Sequence, residues 1–307
     1  MRVLAHIHTF NDADIIDRTI EAVMRQTRPV DGILVVDNAS TDDTLARPSL
    51  ANATVLRHEV NLGTSGTVHS GFRFALDQGY DWIWIFDADS IPEPDALEKL
   101  LGLYASFPQH FKDETAFLAS LARNQADDQP FHGALFTQDG LTVVRPRPEQ
   151  QYYACHVCIW SGTLYRLAAV RRVGLPNPNY VLDWGEFEFG NRVMMAGYRG
   201  IVHQESVLHH NIRGAPSLNP VDIKLWFGVT TVYEFPPIRC YYMSRNMLYF
   251  LLYDVARGRL GLGRRVVWTV FKLTANFVLR PSNHRSEILA CIRGIWHGVT
   301  GNIAARY

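Results

Sequence analysis

Cysteine is scarce in this chain. Cys155, Cys158, Cys240 and Cys291 are scattered over 307 positions, too few for the disulfide framework of a small secreted fold. The sequence also opens without a basic-then-apolar leader, and together these features predict a cytoplasmic, reduced protein. Long apolar runs are missing as well. The longest, Val266 to Leu279, is broken by Thr269, Lys272, Thr274 and Asn276 and falls short of the ~20 residues a membrane-spanning helix needs. No GK[ST] follows the one Gly-rich stretch, and no GxGxxG follows the first apolar segment, which weakens both P-loop and dinucleotide-binding readings. Net charge is absent too, with 30 Lys and Arg against 30 Asp and Glu.

That neutrality hides an asymmetry. From Arg239 onward there are eleven basic residues against Asp254 and Glu287, so this segment carries +9 and residues 1–238 carry −9. The basic segment is also aromatic and aliphatic (LYFLLYDV, RRVVWTVFKLTANFVL). Cations interleaved with apolar faces suit an anionic membrane surface, and amphipathic helices docked on the core explain the same pattern. A composition of 47% hydrophobic and 20% charged residues excludes disorder for most of the chain. The length suits one large α/β domain with an appendage.

Alternation organises the first hundred residues. RVLAHIHTF reads as a buried strand, and a helical pattern follows through Ile15, Ile16, Ile20 and Val23. GILVVDNAS is a second strand and TVLRHEV a third. After a helix through Phe72 and Leu76 comes a fourth strand, DWIWIF, ending at Asp87, and another helix starts near Glu93. Repeated βα units imply a mostly parallel sheet with helices on both faces, whose ligands bind at the carboxyl ends of the strands. Those ends are polar: Thr9-Phe10-Asn11, Asp37-Asn38-Ala39-Ser40, Asn61-Leu62-Gly63 running on to Gly66, and Asp87-Ala88-Asp89. Turn formers and helix caps account for any one of them; four in register ask for more. Two carboxylates two residues apart reach one divalent cation if the chain leaves the extended conformation, and hard oxygen ligands select Mg²⁺ or Mn²⁺.

The order of these motifs resembles glycosyltransferase family 2, the inverting enzymes of the GT-A fold. The likeness rests on Thr9-Phe10-Asn11, Val36-Asp37-Asn38-Ala39-Ser40-Thr41-Asp42, Asn61-Leu62-Gly63 and Asp87-Ala88-Asp89, then on Trp160-Ser161-Gly162 and the block from Asp183 through Trp184, Glu186 and Glu188 to Arg192. Within the family, that block, His209-His210 and Pro237-x-Arg239-x-Tyr241-Tyr242-x-x-Arg245-Asn246 look most like bacterial rhamnosyltransferases and galactofuranosyltransferases of cell-surface polysaccharides. The resemblance implies a GT-A catalytic domain over 1–235, with a nucleotide-sugar half (1–110) and an acceptor half (111–235), and a basic, aromatic helical region over 236–307.

It also implies roles. Glu186 stands at the position of the general base, usually Asp in relatives, and Gly185 replaces a residue that is acidic in some of them. Asp87, Asp89 and His210 become the Mn²⁺ or Mg²⁺ ligands. His209 and His210 point to opposite faces of a strand, so at most one of them serves. Thr9, Phe10, Asn11, Asp37, Asn38, Asn61, Gly63, Gly66, Asp87 and Ala88 are assigned to a UDP- or dTDP-sugar, with Asp37 accepting from the base. Trp160, Ser161, Gly162, Asp183, Trp184 and Glu188 are assigned to a glycan acceptor; Trp160 suits the core as well, and Glu188 suits a helical ion pair with Arg192. Cys155-x-x-Cys158 lacks a second pair at ligand spacing and reads as core thiols.

Rival classes fit less well. A nucleotidyltransferase would carry a basic Gly-rich loop after the first strand, and HTFNDADII has none. A catalytically silent glycan- or membrane-binding relative would have lost the Asp pair or the base. Nucleic-acid binding lacks a recognition module. The expectation is an inverting, metal-dependent transfer to a lipid-linked glycan, peripheral at the inner membrane face. A homo-oligomer is compatible with the sequence.

Overall fold

The structure is a computed structural model that describes residues 1–137, 140–210, 221–225, 228–232, 235–255 and 285–307. The chain divides into two compact units. The first comprises Met1–Pro178 and Phe189–Gly214; the second comprises Asn179–Glu188 and Ala215–Tyr307.

The first unit is built on β1 (Val3–Thr9), β2 (Gly32–Asp37), β3 (Thr54–Arg57), β4 (Trp82–Asp87), β5 (Ile91–Pro92), β6 (Thr115–Asn124), β7 (Pro130–Phe131), β8 (Ala134–Thr137), β9 (Gly140–Val143), β10 (Tyr152–Cys155), β11 (Thr163–Arg166) and β12 (Arg199–His210). The main sheet runs β10-β12-β6-β11-β4-β1-β2-β3, with β5 on β12 and β7 on β6. It is mixed. The β3-β2-β1-β4 half is the parallel array that the alternating pattern predicts. Next to it β11 runs antiparallel to both β4 and β6, and β10 antiparallel to β12.

Period-two alternation feeds a core on each face. Val3, Ala5 and Ile7 of β1 join Trp82, Trp84 and Phe86 of β4 against α1 (Ile16–Met24) and α3 (Ala96–Ser106). Leu4, Ile83 and Ile85 join the opposite core with Phe72 of α2 (Gly63–Asp77) and Val170 of α5 (Leu167–Val173). Between α3 and β6 lies the short α4 (Gln109–Glu114). Two boundaries differ from expectation. The third strand stops at Arg57, and α3 begins at Ala96 rather than near Glu93 because Ile91 and Pro92 are taken up as an edge strand against His209 and Leu208.

In the second unit β13 (Val221–Leu225) and β14 (Gly228–Val232) form an antiparallel pair. The start of α6 (Gly185–Met195), α7 (Pro237–Tyr249) and α8 (Arg285–Val299) also belong here. Helices α7 and α8 approach closely. A Cβ on Gly294 would lie 2.3 Å from the Tyr241 carbonyl oxygen, and one on Gly298 2.7 Å from that of Arg245. Cys240, Tyr241, Ala290 and Cys291 fill the seam. The apolar run 266–279 lies outside the described residues. Among the described residues, no helix is long and apolar enough to cross a membrane.

Candidate active site

The polar strand ends hold one another. At the end of β1, Thr9 Oγ1 and the Phe10 N–H both donate to Asp12 Oδ2 at 2.8 Å. Asn11 takes φ 57°, a left-handed conformation that Asn tolerates; its Oδ1 accepts the Thr41 N–H at 2.8 Å and its own N–H donates to Ser40 Oγ at 2.9 Å. At the end of β2, Asn38 Nδ2 donates to Asn61 Oδ1 and Asn38 Oδ1 accepts the Leu62 N–H, each at 2.8 Å. Asn61 Oδ1 also accepts from Gly63, whose φ of 73° opens α2. Gly66 is a packing glycine, since a Cβ there would meet the Leu62 Cβ at 2.4 Å. Together these turns border a cleft of about 260 Å³ lined by Thr9, Phe10, Asn38, Thr64, Asp87 and Asp89, among others.

Asp37, the residue expected to accept from a base, lies inside the turn after β2. Its side chain is fully buried, both oxygens accept from the Ser40 N–H at 3.2 Å, and Arg57 Nε lies 3.5 Å away. These contacts fix the turn after β2. Phe10, by contrast, is 44% exposed at the cleft.

Asp87, Asp89 and His210 come together as the Asp-x-Asp reading expects, each offering a ligand atom within 4.8 Å of the others. Strand β12 brings the histidine. Its Nδ1 is held by Ser90 Oγ at 2.7 Å, which leaves Nε2 facing Asp87 Oδ2 at 3.7 Å. His209 turns the other way, to Glu93 at 2.6 Å. Two hard oxygens and one imidazole suit Mn²⁺, with Mg²⁺ favoured less by the nitrogen, so the residues present fit a divalent cation. The Asp87 N–H is fixed by Ser161 Oγ at 3.1 Å.

One partner of Asp87 lies outside the expected set. His8 stands beside it in register on β1, and its Nε2 pairs with Asp87 Oδ1. Burial tends to push the Asp87 carboxyl up, but the charge of His8 and its hydrogen bond prevail and hold it down to about 2. Burial likewise tends to lower His8; the Asp87 charge outweighs it, and the imidazole is raised above its ordinary value. Behind it His6 is fully buried and neither ring nitrogen has a hydrogen-bond partner among the described residues. Burial drives its pKa well down, leaving it neutral. Gly71 of α2 makes room, since a Cβ there would lie 2.6 Å from His6 Nδ1.

The expected acceptor residues divide. Trp160 is 5% exposed and packs against Phe72, Tyr165 and Phe189, so its indole presents no free face to a sugar ring. Gly162, at φ 79°, seals the loop onto β4 through its N–H to the Ile85 carbonyl at 2.8 Å. Within the second unit, Asp183 and Trp184 take φ 61° and 69°, adjacent left-handed residues costing about 1–3 kcal/mol each. Arg239 of α7 grips the Asp183 carboxylate at 2.9 and 3.2 Å, and Asn246 Nδ2 donates to the Leu182 and Asp183 carbonyls at 2.8 and 3.0 Å. Trp184 packs on Phe187 and Phe250. These contacts set the start of α6, whose first turn carries Glu186 and Glu188. Arg192 donates to the Val173 and Leu175 carbonyls at 2.9 Å.

Sequence reasoning missed His8, Ser90 and the clamp role of Asp12. A period-two reading of AHIHT puts His6 and His8 on one face, but the pairing of His8 with Asp87 needs a strand register that no local pattern supplies.

The model of the glycosyl transferase family 2 matches residues 5–174, more than half of the chain. Galactofuranosyltransferase GlfT1 of Mycobacterium tuberculosis is 24% identical over 204 residues, covering 64% of this chain. The match spans 65% of that relative, just under two thirds of its length. An undecaprenyl-phosphate mannosyltransferase of Micrococcus luteus is 36% identical over 107 residues, covering 33% of this chain and 43% of that protein. Among solved structures, S. aureus TarS 1-349 superposes with a TM-score of 0.58 at 13% identity, over 99% of this chain and 82% of that one. The mannosyltransferase PcManGT of Pyrobaculum calidifontis, in complex with GDP-Man and Mn²⁺, gives 0.55 at 14% identity, over 96% and 80%. The sheet order and the strand-end motifs thus agree with the family match, and the chain belongs to glycosyl transferase family 2.

Proposed function

We propose that the chain is an inverting, divalent-metal-dependent glycosyltransferase that moves a sugar from a UDP- or dTDP-linked donor, such as galactofuranose or rhamnose, to a glycan acceptor. The observation that carries this reading is the convergence of Asp87, Asp89 and His210 at the cleft. A Mn²⁺ or Mg²⁺ ion bound there supplies positive charge beside a leaving diphosphate. The chain's own residues do the rest. Phe10, exposed at the cleft, offers a face to the nucleobase, while Thr9, Asn11, Asn38, Asn61 and Gly63 keep the rim rigid around the donor. Ser161 and Ser90 hold Asp87 and His210 in orientation. Glu186, in the first turn of α6, takes the proton from the acceptor hydroxyl, and Asp183 and Asn246 fix that turn.

Under this reading residues 1–235 hold the catalytic machinery and the basic C-terminal region keeps the protein at the inner membrane face, where a lipid-linked acceptor is presented. The likeness to GlfT1 supports galactofuranose as one candidate donor sugar. The test is turnover of a panel of UDP- and dTDP-sugars by the wild type and Glu186→Gln. Loss of a general base costs about 10²–10⁴ in rate, so the variant binds donor nucleotide unchanged and turns over at least a hundredfold more slowly. Full turnover by the variant would remove Glu186 from the chemistry.

A further inference from the structure

Helix α8 is amphipathic in an unusual sense. Its buried side is made of small residues, Ala290, Cys291, Gly294 and Gly298, because the Tyr241 and Arg245 carbonyls of α7 leave no space for a Cβ at the two glycines. Ile288 and Ile295 flank this seam, partly buried against it, and four other apolar residues stay exposed. Leu289, Ile292, Trp296 and Val299 are 66, 58, 65 and 46% exposed, and steps of three, four and three place them on one face. Isolated exposed leucines need no explanation, but a continuous stripe with a tryptophan at its middle does.

The surroundings of the stripe are basic. Arg285 begins the helix and falls on the same face by helical spacing. Arg293 follows Ile292 and stacks on Tyr241, and its Nη2 donates to the Arg306 carbonyl. Arg285, Arg293 and Arg306 are exposed, whereas the other cations of the described C-terminal residues are engaged: Arg239 on Asp183, and Arg245, fully buried, on the Asn179 and Ala305 carbonyls and Asn246. A second copy of the chain would bring these cations against their own kind. An anionic lipid surface would neutralise them while its headgroup region takes up the apolar stripe.

We propose that the Leu289-Ile292-Trp296-Val299 face of α8 is the surface by which this protein lies on an anionic bilayer. It rests on the membrane-peripheral part of the functional reading above, and gives it a defined surface. The helix lies in the interface plane; its 15 residues are too few to span.

The test is flotation of the 307-residue chain with vesicles of phosphatidylglycerol and phosphatidylcholine, and with phosphatidylcholine alone. Wild type floats with the anionic vesicles. Ile292→Ser with Trp296→Ser lowers the bound-to-free ratio at least tenfold, and Arg285→Glu lowers it roughly fivefold or more on anionic vesicles only. All these side chains are exposed, so the urea midpoint stays at the wild-type value. Equal flotation of wild type and the double variant overturns the proposal. So does a light-scattering mass that falls from dimer to monomer in the double variant while flotation is unchanged, which would make the face a self-association surface. Nucleotide titration of the same variants separates this claim from the catalytic one: a chain that floats but binds no nucleotide refutes the transferase reading alone.

Discussion

Replacing Ser161 by alanine removes one oxygen, and its effect follows from what that oxygen holds. Ser161 is 1% exposed, and its Oγ accepts the Asp87 N–H at 3.1 Å. Alanine leaves that N–H without its partner at the rim of an apolar strand. An unsatisfied buried donor costs about 1–3 kcal/mol, and for a unit of about 200 residues each kcal/mol lowers Tm by roughly 2–4 °C. The loss of stability is the lesser part. Because the bond fixes the peptide that carries the first carboxylate, its removal frees Asp87, and outer partners of metal ligands are typically worth about 10–100-fold in affinity. Mn²⁺ binding, followed by the loss of the free-ion electron paramagnetic resonance signal, weakens by roughly tenfold or more, and Tm falls by roughly 2–12 °C. Ser161→Thr, which keeps the hydroxyl, restores the affinity. An alanine variant that loses Tm but binds Mn²⁺ as wild type does would refute the reasoning, because Ser161 would then be a packing residue without a role in positioning Asp87.

Two further outcomes test the histidine pair behind the site. In metal-free buffer, His8→Asn removes the ion pair with Asp87. His8, raised above its ordinary 6.5, contributes stability fully below that value and loses it as pH rises through the folded value. Asp87, held at about 2, contributes above its ordinary 3.8 and loses it as pH falls through 2. The difference in urea midpoint between wild type and His8→Asn is therefore largest at about pH 4–6.5 and shrinks at alkaline pH; an equal difference at both ends contradicts the pairing. Gly71→Ala is a test of sign. Helix propensity alone makes it stabilising by about 1 kcal/mol, but the new Cβ would meet His6, fully buried with nowhere to retreat, and overpacking costs about 1–3 kcal/mol. The variant is destabilised, and a raised urea midpoint would show that His6 moves aside.

The parts of this molecule legible in its sequence are those governed by local rules. Alternation in RVLAHIHTF and DWIWIF marked the central strands, and Asn, Asp, Ser and Gly at their ends marked the rim, because turn chemistry and side-chain period are properties of neighbours along the chain. Pairing between distant strands is not. The antiparallel insertion of β11 between β4 and β6 and the capture of Ile91-Pro92 by β12 depend on which edges meet. His8 reaches Asp87 only because of the β1–β4 register, so an alternating histidine pair gave no hint of its partner. Trp160 fails as a sugar platform for a similar reason. Its three aromatic neighbours come from α2, β11 and α6, and burial by residues so far apart leaves no mark on WSG itself. Asp183 and Trp184 were singled out by their motif, but their left-handed backbone is imposed by Arg239 and Asn246, more than fifty residues later.

The most direct test of the central claim is calorimetric titration of the purified protein with UDP, dTDP and GDP, each with and without Mn²⁺, on the wild type and Asp89→Ala. The account predicts that UDP or dTDP binds only when Mn²⁺ is present and that Asp89→Ala abolishes this binding without lowering the unfolding midpoint. Nucleotide binding that ignores both Mn²⁺ and Asp89, or no binding of any nucleotide, would contradict it.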